Sequence, residues 1–314
     1  MLRYVGLAIW RLKMKKTMFL TAFLMVMNTI VFAKPLKVVT TLPDFASIAE
    51  EIGKEKVTAT SLMRGTQDPH YLEPTPSMAI TMRDADLLII NGMELDIWVF
   101  SLINVARNPK IMYGKSGYLD VSVGIDRMEV LPAGAKADAS MGHIHASGNP
   151  HYTHDPVSGK AVAKQIMERM SALSPENADY FRKNYDDFVS RIDSKMFQWR
   201  EKLREAGIEK IVTYHRSWSY FARTFGLKII GEIEPLPGIP PSPAHLSQLI
   251  EKIKSENVKV VVTVNFYDIR PAKFISERTG IRIAKVPMYV GGSKEAVDYI
   301  SLIDMIVNTI TGGK

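Results

Sequence analysis

Three of the seven histidines stand in polar loops, among aromatic or turn-forming neighbours, where an imidazole could bind a metal ion. His70 lies in a loop that prolines stiffen, His151 lies in the segment Gly-Asn-Pro-His-Tyr, and His215 directly follows the predicted strand KIVTY. All three loops are predicted to come directly after strands. Neutral imidazoles are common ligands of divalent ions such as zinc. No two of these histidines form a short H-x-x-H motif, so their spacing alone is a weak indication of a shared site.

Asp268 is the acidic residue that we predict to join the three histidines. It follows the apolar strand VKVVVTV, and ligands of parallel α/β sheets bind outside the carboxyl ends of the strands. Three imidazoles and one carboxylate would complete a four-ligand shell, which favours tetrahedral zinc. Manganese prefers more oxygen donors, and binding through both oxygens of Asp268 would admit it. No catalytic residues are predicted.

Apolar β-branched runs alternate with amphipathic stretches from Leu36 onward, and this alternation predicts parallel sheets covered by helices. We predict an α/β fold of two lobes, residues 34–173 and 207–314, with the metal site in the cleft between them. Strands are predicted at 36–41, 55–62, 86–91, 210–214, 227–232, 258–264 and 281–286. Helices are predicted at 44–53, 76–84, 95–107, 217–225, 243–256, 270–279 and 293–310, and residues 124–148 are predicted to be loop.

One long helix, residues 174–206, is predicted to join the two lobes. Ser174-Pro175 opens it, Gly207 closes it, and its apolar residues recur every three or four positions. At 1.5 Å per residue it would be roughly 50 Å long, which is enough to run past both lobes. A helix shared in this way would resist a large hinge opening between the lobes. The alternative is a coiled-coil arm for dimerisation.

Residues 1–33 have the layout of a secretory signal peptide. Five basic residues precede an uncharged, mostly apolar run from Thr17 to Ala33, and Met14 is an alternative start to Met1. A membrane anchor is the alternative, but the apolar core is shorter than the roughly 20 residues that a membrane span requires. Removal of the segment would place the protein in the periplasm.

Composition excludes several functions for the rest of the chain. Removing the five basic residues of the leader from the total of 40 leaves 35, against 33 acidic residues, so the net charge falls to +2 and gives no support for nucleic-acid binding. The sequence contains no cysteine, which excludes disulfides, thiolate metal sites and a lipid-modified cysteine.

Four segments, in this order and at lobe-sized separations, resemble the zinc and manganese solute-binding proteins of ABC transporters, the ZnuA/TroA-like family: DPHYLEPTP, GNPHYTHDP, TYHRSWSYFARTFGL and PGIPPSPAHLSQLIEKIK. The likeness covers essentially the whole chain after residue 33. It implies two α/β lobes joined by a long helix, with a transported divalent ion in the cleft and an ABC permease as the partner. It also implies ligands at His70, His151, His215 and Asp268. Such receptors usually act as monomers.

Several polar residues near these loops have roles that the resemblance leaves open. His154 stands where the family pattern differs, and it is either a secondary ligand or, as we favour, a solvated histidine at a helix start. His143 and His145 occupy a short Gly/Ala-rich stretch where zinc receptors often have a longer His-rich loop. They either deliver metal or, as we favour, belong to an ordinary mobile loop. Asp68, Glu73 and Asp155 could each orient an imidazole, although such residues more often cap helices, as we favour for Asp155. Glu232 and Glu234 could line the cleft.

Two other functions compete with the receptor hypothesis. A secreted zinc hydrolase would need an open coordination position and a general base, and the H-E-x-x-H motif is absent. A metal-dependent adhesin would need surface display, which the missing cysteine weakens. We therefore predict a receptor that captures zinc, or else manganese, for an ABC permease.

Overall fold

Two four-stranded parallel sheets of matching strand order form the framework of the described residues. The first sheet has the order β2-β1-β3-β4, with β1 at Leu36–Thr40, β2 at Val57–Ser61, β3 at Leu87–Ile90 and β4 at Tyr118–Asp120. The second has the order β6-β5-β7-β8, with β5 at Lys210–Thr213, β6 at Lys228–Glu232, β7 at Val260–Val264 and β8 at Arg282–Val286. The first sheet and its helices are the N-terminal lobe, and the second sheet and its helices are the C-terminal lobe.

The computed structural model describes residues 34–131, 145–236 and 238–313. The predicted signal peptide, 1–33, and His143 lie outside these ranges. Residues 35–314 group into one compact unit. Within the described ranges, no helix combines the length and the apolar character that crossing a membrane would require.

Helices cover both sheets, as the alternating pattern predicts. In the N-terminal lobe they are α1 (Pro43–Gly53), α2 (Pro76–Met82), α3 (Val99–Ala106) and α4 (Pro156–Leu173). The long helix α5 is Ala178–Glu205, and the C-terminal lobe adds α6 (Ser219–Phe225), α7 (Pro243–Ser255), α8 (Arg270–Thr279) and α9 (Tyr299–Thr311). The predicted α/β class with two parallel sheets and a long joining helix is confirmed.

The differences from the predicted elements have local causes. Strand β4 escaped prediction because three residues are too few to show an alternating pattern. Helix α3 begins at Val99 rather than at 95, since residues 93–98 form turns in which Met93 and Glu94 adopt left-handed backbone angles. Helix α4 begins after Asp155, as the pair Asp155-Pro156 predicts, and the carboxylate of Asp155 accepts hydrogen bonds from the backbone N–H groups of Val157 and Ser158.

Helix α5 packs against helices of both lobes. Its buried stripe consists of Phe181, Phe188, Ile192, Met196, Trp199 and Leu203. Asn184 donates a hydrogen bond to the carbonyl of Ile52 at 2.9 Å, in the N-terminal lobe. Trp199 donates to Asp304 at 2.8 Å, in the C-terminal lobe. At 28 residues the helix is about 42 Å long, and the side chains of its stripe are buried within the protein rather than presented for a coiled-coil partner.

The apolar core does not divide between the lobes. One cluster of buried side chains runs from Val38 in the first sheet, through α4 and α5, to Ile310 in α9. Each sheet also has a separate, smaller cluster on its other face. The two lobes are therefore joined through a shared apolar core.

The segment after β8 makes a second, polar junction between the lobes. The backbone N–H of Val290 donates to Asp44 at 2.8 Å, and the carbonyl of Met288 accepts from His154 at 2.8 Å. Gly65 approaches the same segment so closely that a β-carbon there would lie 2.1 Å from the carbonyl oxygen of Val290. The lobes contact each other here without room for an additional side chain.

Candidate metal centre

His70, His151 and His215 converge between the two lobes. One nitrogen from each ring can be chosen so that all three lie within 4.8 Å of one another. The ring centroids are 5.2 Å apart for His70 and His151, 5.4 Å for His70 and His215, and 5.1 Å for His151 and His215. The first two rings belong to the N-terminal lobe and the third to the C-terminal lobe, so an ion bound by all three would bridge the lobes.

Carboxylates hold two of these rings by their Nδ1 atoms. Nδ1 of His70 lies 2.7 Å from Oδ1 of Asp68, and Nδ1 of His215 lies 2.7 Å from Oε2 of Glu234. An ionised carboxylate only accepts hydrogen bonds, so Nδ1 carries the proton and Nε2 keeps its lone pair. This is the arrangement in which a carboxylate orients a metal-binding imidazole.

His151 is held in the same way by an amide. Its Nδ1 lies 2.9 Å from Oδ1 of Asn149, and its Nε2 has no hydrogen-bond partner among the described residues. The ring is almost completely buried, and this burial, followed by the charges that His215, His70 and His145 would carry, lowers the pKa of His151 well below 6.5. The ring is therefore neutral near pH 7, and a metal ion would supply the missing partner for its Nε2.

For His70 and His151, the side chain that accepts from Nδ1 belongs to a short sequence motif, D-P-H or N-P-H. Oδ1 of Asp68 also accepts from the backbone N–H of His70 at 3.0 Å, and Oδ1 of Asn149 accepts from that of His151 at 3.0 Å. In both cases the intervening proline restricts the backbone. The same side chain therefore sets the position of the histidine backbone and the orientation of its ring. The N-P-H motif is therefore a sequence signal for the role of Asn149 that spacing between histidines does not give.

The third Nδ1 acceptor, Glu234, reaches His215 only through the tertiary fold. It lies 19 residues after His215, beyond β6, and its Oε2 also accepts from the backbone N–H of Gly238 at 3.1 Å. No spacing rule connects a strand-end histidine with an acid at this distance along the chain.

Not all of the three loops begin where the sequence analysis expected. His215 stands two residues after β5, as predicted, whereas His70 comes nine residues after β2, in a single helical turn at Pro69–Tyr71. His151 precedes α4 and does not follow a strand directly. The rings converge because the loops are long enough to reach a common point from different elements.

The structure does not gather Asp268 with the three rings. Its carboxylate accepts from Nε of Arg270 at 2.8 Å and from Nη2 at 2.6 Å, and also from the backbone N–H of that residue at 3.0 Å. These hydrogen bonds lower the pKa of Asp268, whose side chain is 40% exposed. The carboxylate of Asp268 is bonded to the first residue of α8 and is not part of the group formed by the three histidines.

A fourth ring, that of His145, reaches the centre instead. Its Nε2 lies 3.4 Å from Nε2 of His70, and its ring centroid is 5.5 Å from that of His70 and 6.1 Å from that of His151. From the sequence, either metal delivery or an ordinary mobile loop is expected for His145. The structure places it against the histidine group.

His154 is not a solvated histidine at the helix start. The ring is fully buried, its Nε2 donates to the carbonyl of Met288 at 2.8 Å, and its centroid lies 5.3 Å from that of Trp218. Burial lowers the pKa of His154 to about 4, against hydrogen bonds that raise it. The expectation of a solvated helix-start histidine was therefore wrong, and the ring is a neutral component of the junction between the lobes.

Comparisons with known proteins agree with the fold and with the sequence resemblance. The family model described as "ZnuA: Zinc-uptake complex component A periplasmic" matches residues 38–313. The high-affinity zinc uptake system protein ZnuA of Bacillus subtilis (strain 168) is 26% identical over 269 residues, covering 84% of this chain and 81% of its own. The manganese ABC transporter substrate-binding lipoprotein PsaA of Streptococcus pneumoniae serotype 4 is 27% identical over 254 residues, covering 79% and 78%. A crystal structure of a ZnuA superposes with a TM-score of 0.74 at 22% identity, covering 89% of this chain and 99% of that one.

Proposed function

Because this chain belongs to the family of periplasmic zinc-uptake components, we propose that it captures a divalent metal ion with His70, His151 and His215 and delivers it to the membrane permease of an ABC importer. The observation that carries the proposal is the convergence of three imidazoles, each held by an acceptor at Nδ1. In this tautomer Nε2 is the nitrogen with which each ring would bind an ion. The family is one of solute-binding transport components and not of enzymes, which disfavours the hydrolase alternative.

Zinc is the cargo that the donor set favours. The donors that the described residues bring together are imidazole nitrogens, which suit zinc, whereas manganese prefers carboxylate and carbonyl oxygens. Asp268 is the predicted oxygen donor, and its engagement with Arg270 removes the main argument for manganese. Relatives of this chain are named for zinc in one case and for manganese in another, so membership of the family does not decide the cargo.

Capture and release follow from the division of the ligands between the lobes. His70 and His151 are fixed to the N-terminal lobe by their own loops, while His215 and its partner Glu234 belong to the C-terminal lobe. A small shift of one lobe against the other would move one ligand away from the other two and weaken the site. Docking on the permease would supply the free energy for that shift. Because protons compete for the same nitrogens, affinity should also fall as the pH drops through the histidine range.

We place the protein in the periplasm. Residues 1–33 have the pattern of a secretory leader, and the family description names periplasmic components. The PsaA relative is named a lipoprotein, but this sequence has no cysteine to carry a lipid. These observations support a periplasmic receptor, and from the resemblance to its family we propose that it acts as a monomer.

Calorimetric titration of the metal-free protein tests the proposal. We expect one equivalent of zinc to bind, with manganese binding much more weakly. His70→Ala, His151→Ala and His215→Ala should each weaken zinc binding by more than the roughly 10–100-fold that the loss of an orienting residue costs.

The matched control is His245→Ala. That ring lies on α7 and donates to the carbonyl of Glu232 at 2.9 Å, so its removal should leave zinc affinity unchanged. Wild-type affinity in all three single variants of the converging histidines would contradict the assigned site.

A further inference from the structure

We infer that His145 is a fourth nitrogen ligand of the transported ion and that Glu94 positions it. The inference rests on the proposed function, since it concerns the same ion. It replaces the expected shell of three imidazoles and one carboxylate with a shell of four imidazoles.

The distance between two ring nitrogens is the first support. Two nitrogens bound to one tetrahedral zinc at about 2.0–2.1 Å from the metal are about 3.3–3.4 Å apart. Nε2 of His145 and Nε2 of His70 are 3.4 Å apart. The pair therefore already has the separation of two ligands on a single zinc ion. A direct hydrogen bond between the two rings would have a similar length, and the experiment below distinguishes the two arrangements.

The surroundings of the ring are the second support. The centroid of the His145 ring lies 5.5 Å from that of His70 and 6.1 Å from that of His151, and both of these rings belong to the N-terminal lobe. A ligand here would share the ion with His215 from the other lobe. Among the described residues, the donor atoms that all lie within 4.8 Å of one another come from His70, His151 and His215, so His145 would have to move closer to the other two rings as the ion binds.

Hydrogen bonds between Ser147 and Glu94 hold the turn that carries His145. The backbone N–H of Ser147 donates to Oε2 of Glu94 at 3.2 Å, and the hydroxyl of Ser147 donates to Oε1 of the same carboxylate. The turn is closed by a hydrogen bond from the N–H of Gly148 to the carbonyl of His145 at 3.2 Å. Glu94 thus holds, from the N-terminal lobe, a residue two positions from the proposed ligand.

The backbone at Glu94 is unusual for a residue with a side chain. Met93 and Glu94 have φ angles of 47° and 60°, in the left-handed region that such residues rarely adopt. Glu94 is exposed, and its carboxylate accepts two hydrogen bonds from Ser147. Residues in sparsely populated conformations persist where surrounding contacts require them, and they cluster at binding sites. The position of Glu94 is explained if it holds the His145 turn at the metal centre.

Cobalt, which replaces zinc and reports its coordination through visible absorption, tests the role of His145. We expect the wild-type protein loaded with Co²⁺ to show the intense absorption of a tetrahedral ion. His145→Ala should shift that spectrum towards the weaker absorption of a higher-coordinate, water-containing site. It should also weaken zinc binding by at least the roughly 10–100-fold that the loss of an orienting residue costs, while His245→Ala changes neither.

A double-mutant cycle tests the role of Glu94 as a positioning residue. Glu94→Ala should change the cobalt spectrum in the direction of His145→Ala, and Glu94→Gln, which keeps an oxygen acceptor for Ser147, should restore it. In the background of His145→Ala, Glu94→Ala should have no further effect. Equal effects in both backgrounds would make Glu94 merely structural and overturn its assigned role.

The outcomes separate this inference from the proposed function. Tight zinc binding with an unchanged tetrahedral spectrum in His145→Ala would refute the fourth ligand and leave the receptor function standing. That result would assign the 3.4 Å contact to a hydrogen bond between the rings. Absence of zinc binding by the wild-type protein would refute the function itself.

Discussion

The chemistry of the site depends on what lies behind each histidine ring as much as on the ring itself. Asp68, Asn149 and Glu234 each accept a hydrogen bond from an Nδ1 atom, and this selects the tautomer that presents Nε2 to the ion. Two of these acceptors stand two residues before their histidine and are built into a local motif. Glu234 is the acceptor that depends on the tertiary fold.

Replacement of Glu234 should therefore weaken the site although it touches no metal. Glu234→Ala leaves Nδ1 of His215 without its acceptor, so the ring loses both its orientation and part of its basicity. We expect zinc affinity to fall by about 10–100-fold, measured by competition with a chromogenic chelator.

Asp268→Ala is the matched acidic control for this experiment. Its carboxylate is engaged by Arg270 and lies outside the converging group, so zinc affinity should be unchanged. A loss for Asp268→Ala as large as that for His70→Ala would restore Asp268 as a ligand and require the α8 start to rearrange on binding.

Among the structural elements, the segment after β8 has the most direct role in joining the lobes. Val290 bonds to Asp44, Met288 bonds to His154, and Gly65 fits against the backbone of the same segment. The junction adjoins the metal centre, since His154 is three residues from His151 in the chain. The relative position of the lobes, and hence of His215, depends on how closely this segment can approach the N-terminal lobe.

Gly65→Ala should disturb this approach. The new β-carbon would lie 2.1 Å from the carbonyl oxygen of Val290 and 2.6 Å from the nitrogen of Gly292, and backbone atoms cannot yield as a flexible side chain would. We expect a loss of about 1–3 kcal/mol in the free energy of unfolding, by urea denaturation, together with weaker zinc binding.

Gly313→Ala is the control for the change of residue type. A β-carbon there meets nothing closer than 3.7 Å, so stability and affinity should remain as in the wild type. Unchanged values for Gly65→Ala would show that the lobes can separate at this junction without effect on the site.

Across the whole molecule, stability is coupled to pH through acids buried at the junction and in the core. Burial raises the pKa of Asp44 to about 7, against hydrogen bonds from Val290 and Thr153 that lower it. Burial likewise raises the pKa of Asp96 to about 6. A raised carboxyl pKa means that the folded protein binds more protons than the unfolded chain between the two pKa values, so stability falls as the pH rises through that interval. The lowered pKa of His154 acts in the opposite direction below pH 6.5.

Asp44→Asn isolates one of these contributions. The amide keeps an oxygen acceptor for the N–H of Val290 and cannot ionise. At pH 5 the variant should already be more stable than the wild type, because Asp44 is protonated in the fold while the unfolded chain, with the ordinary carboxyl pKa of 3.8, is mostly ionised. Between pH 5 and pH 8 this advantage should grow by about 2–3 kcal/mol, at about 1.4 kcal/mol per pH unit until the pKa in the fold is passed near 7. Urea unfolding of the metal-free proteins at both pH values measures this, and an equal difference at both would contradict it.

Much of the fold could be predicted because its helices and strands follow from the local spacing of apolar residues. Apolar runs predict the strands of the two sheets other than β4. A capping serine predicts the start of α7 at Ser242, and a glycine predicts the end of α8 at Gly280. The resemblance of four segments to a family added the two-lobe plan, which the family model and the sheets confirm. Each of these signals is carried by residues that are near one another in the chain.

The sequence by itself determined which rings are candidates for the metal, since loops such as D-P-H and N-P-H organise a histidine within three residues. Only the tertiary structure decided what surrounds these rings. It turned Asp268 towards Arg270, brought His145 within 3.4 Å of His70, buried His154 at the lobe junction and supplied Glu234 to His215. The physical reason is distance: a carboxylate takes the nearest suitable donor, and which donor is nearest depends on how two sheets and their loops pack, not on the order of residues.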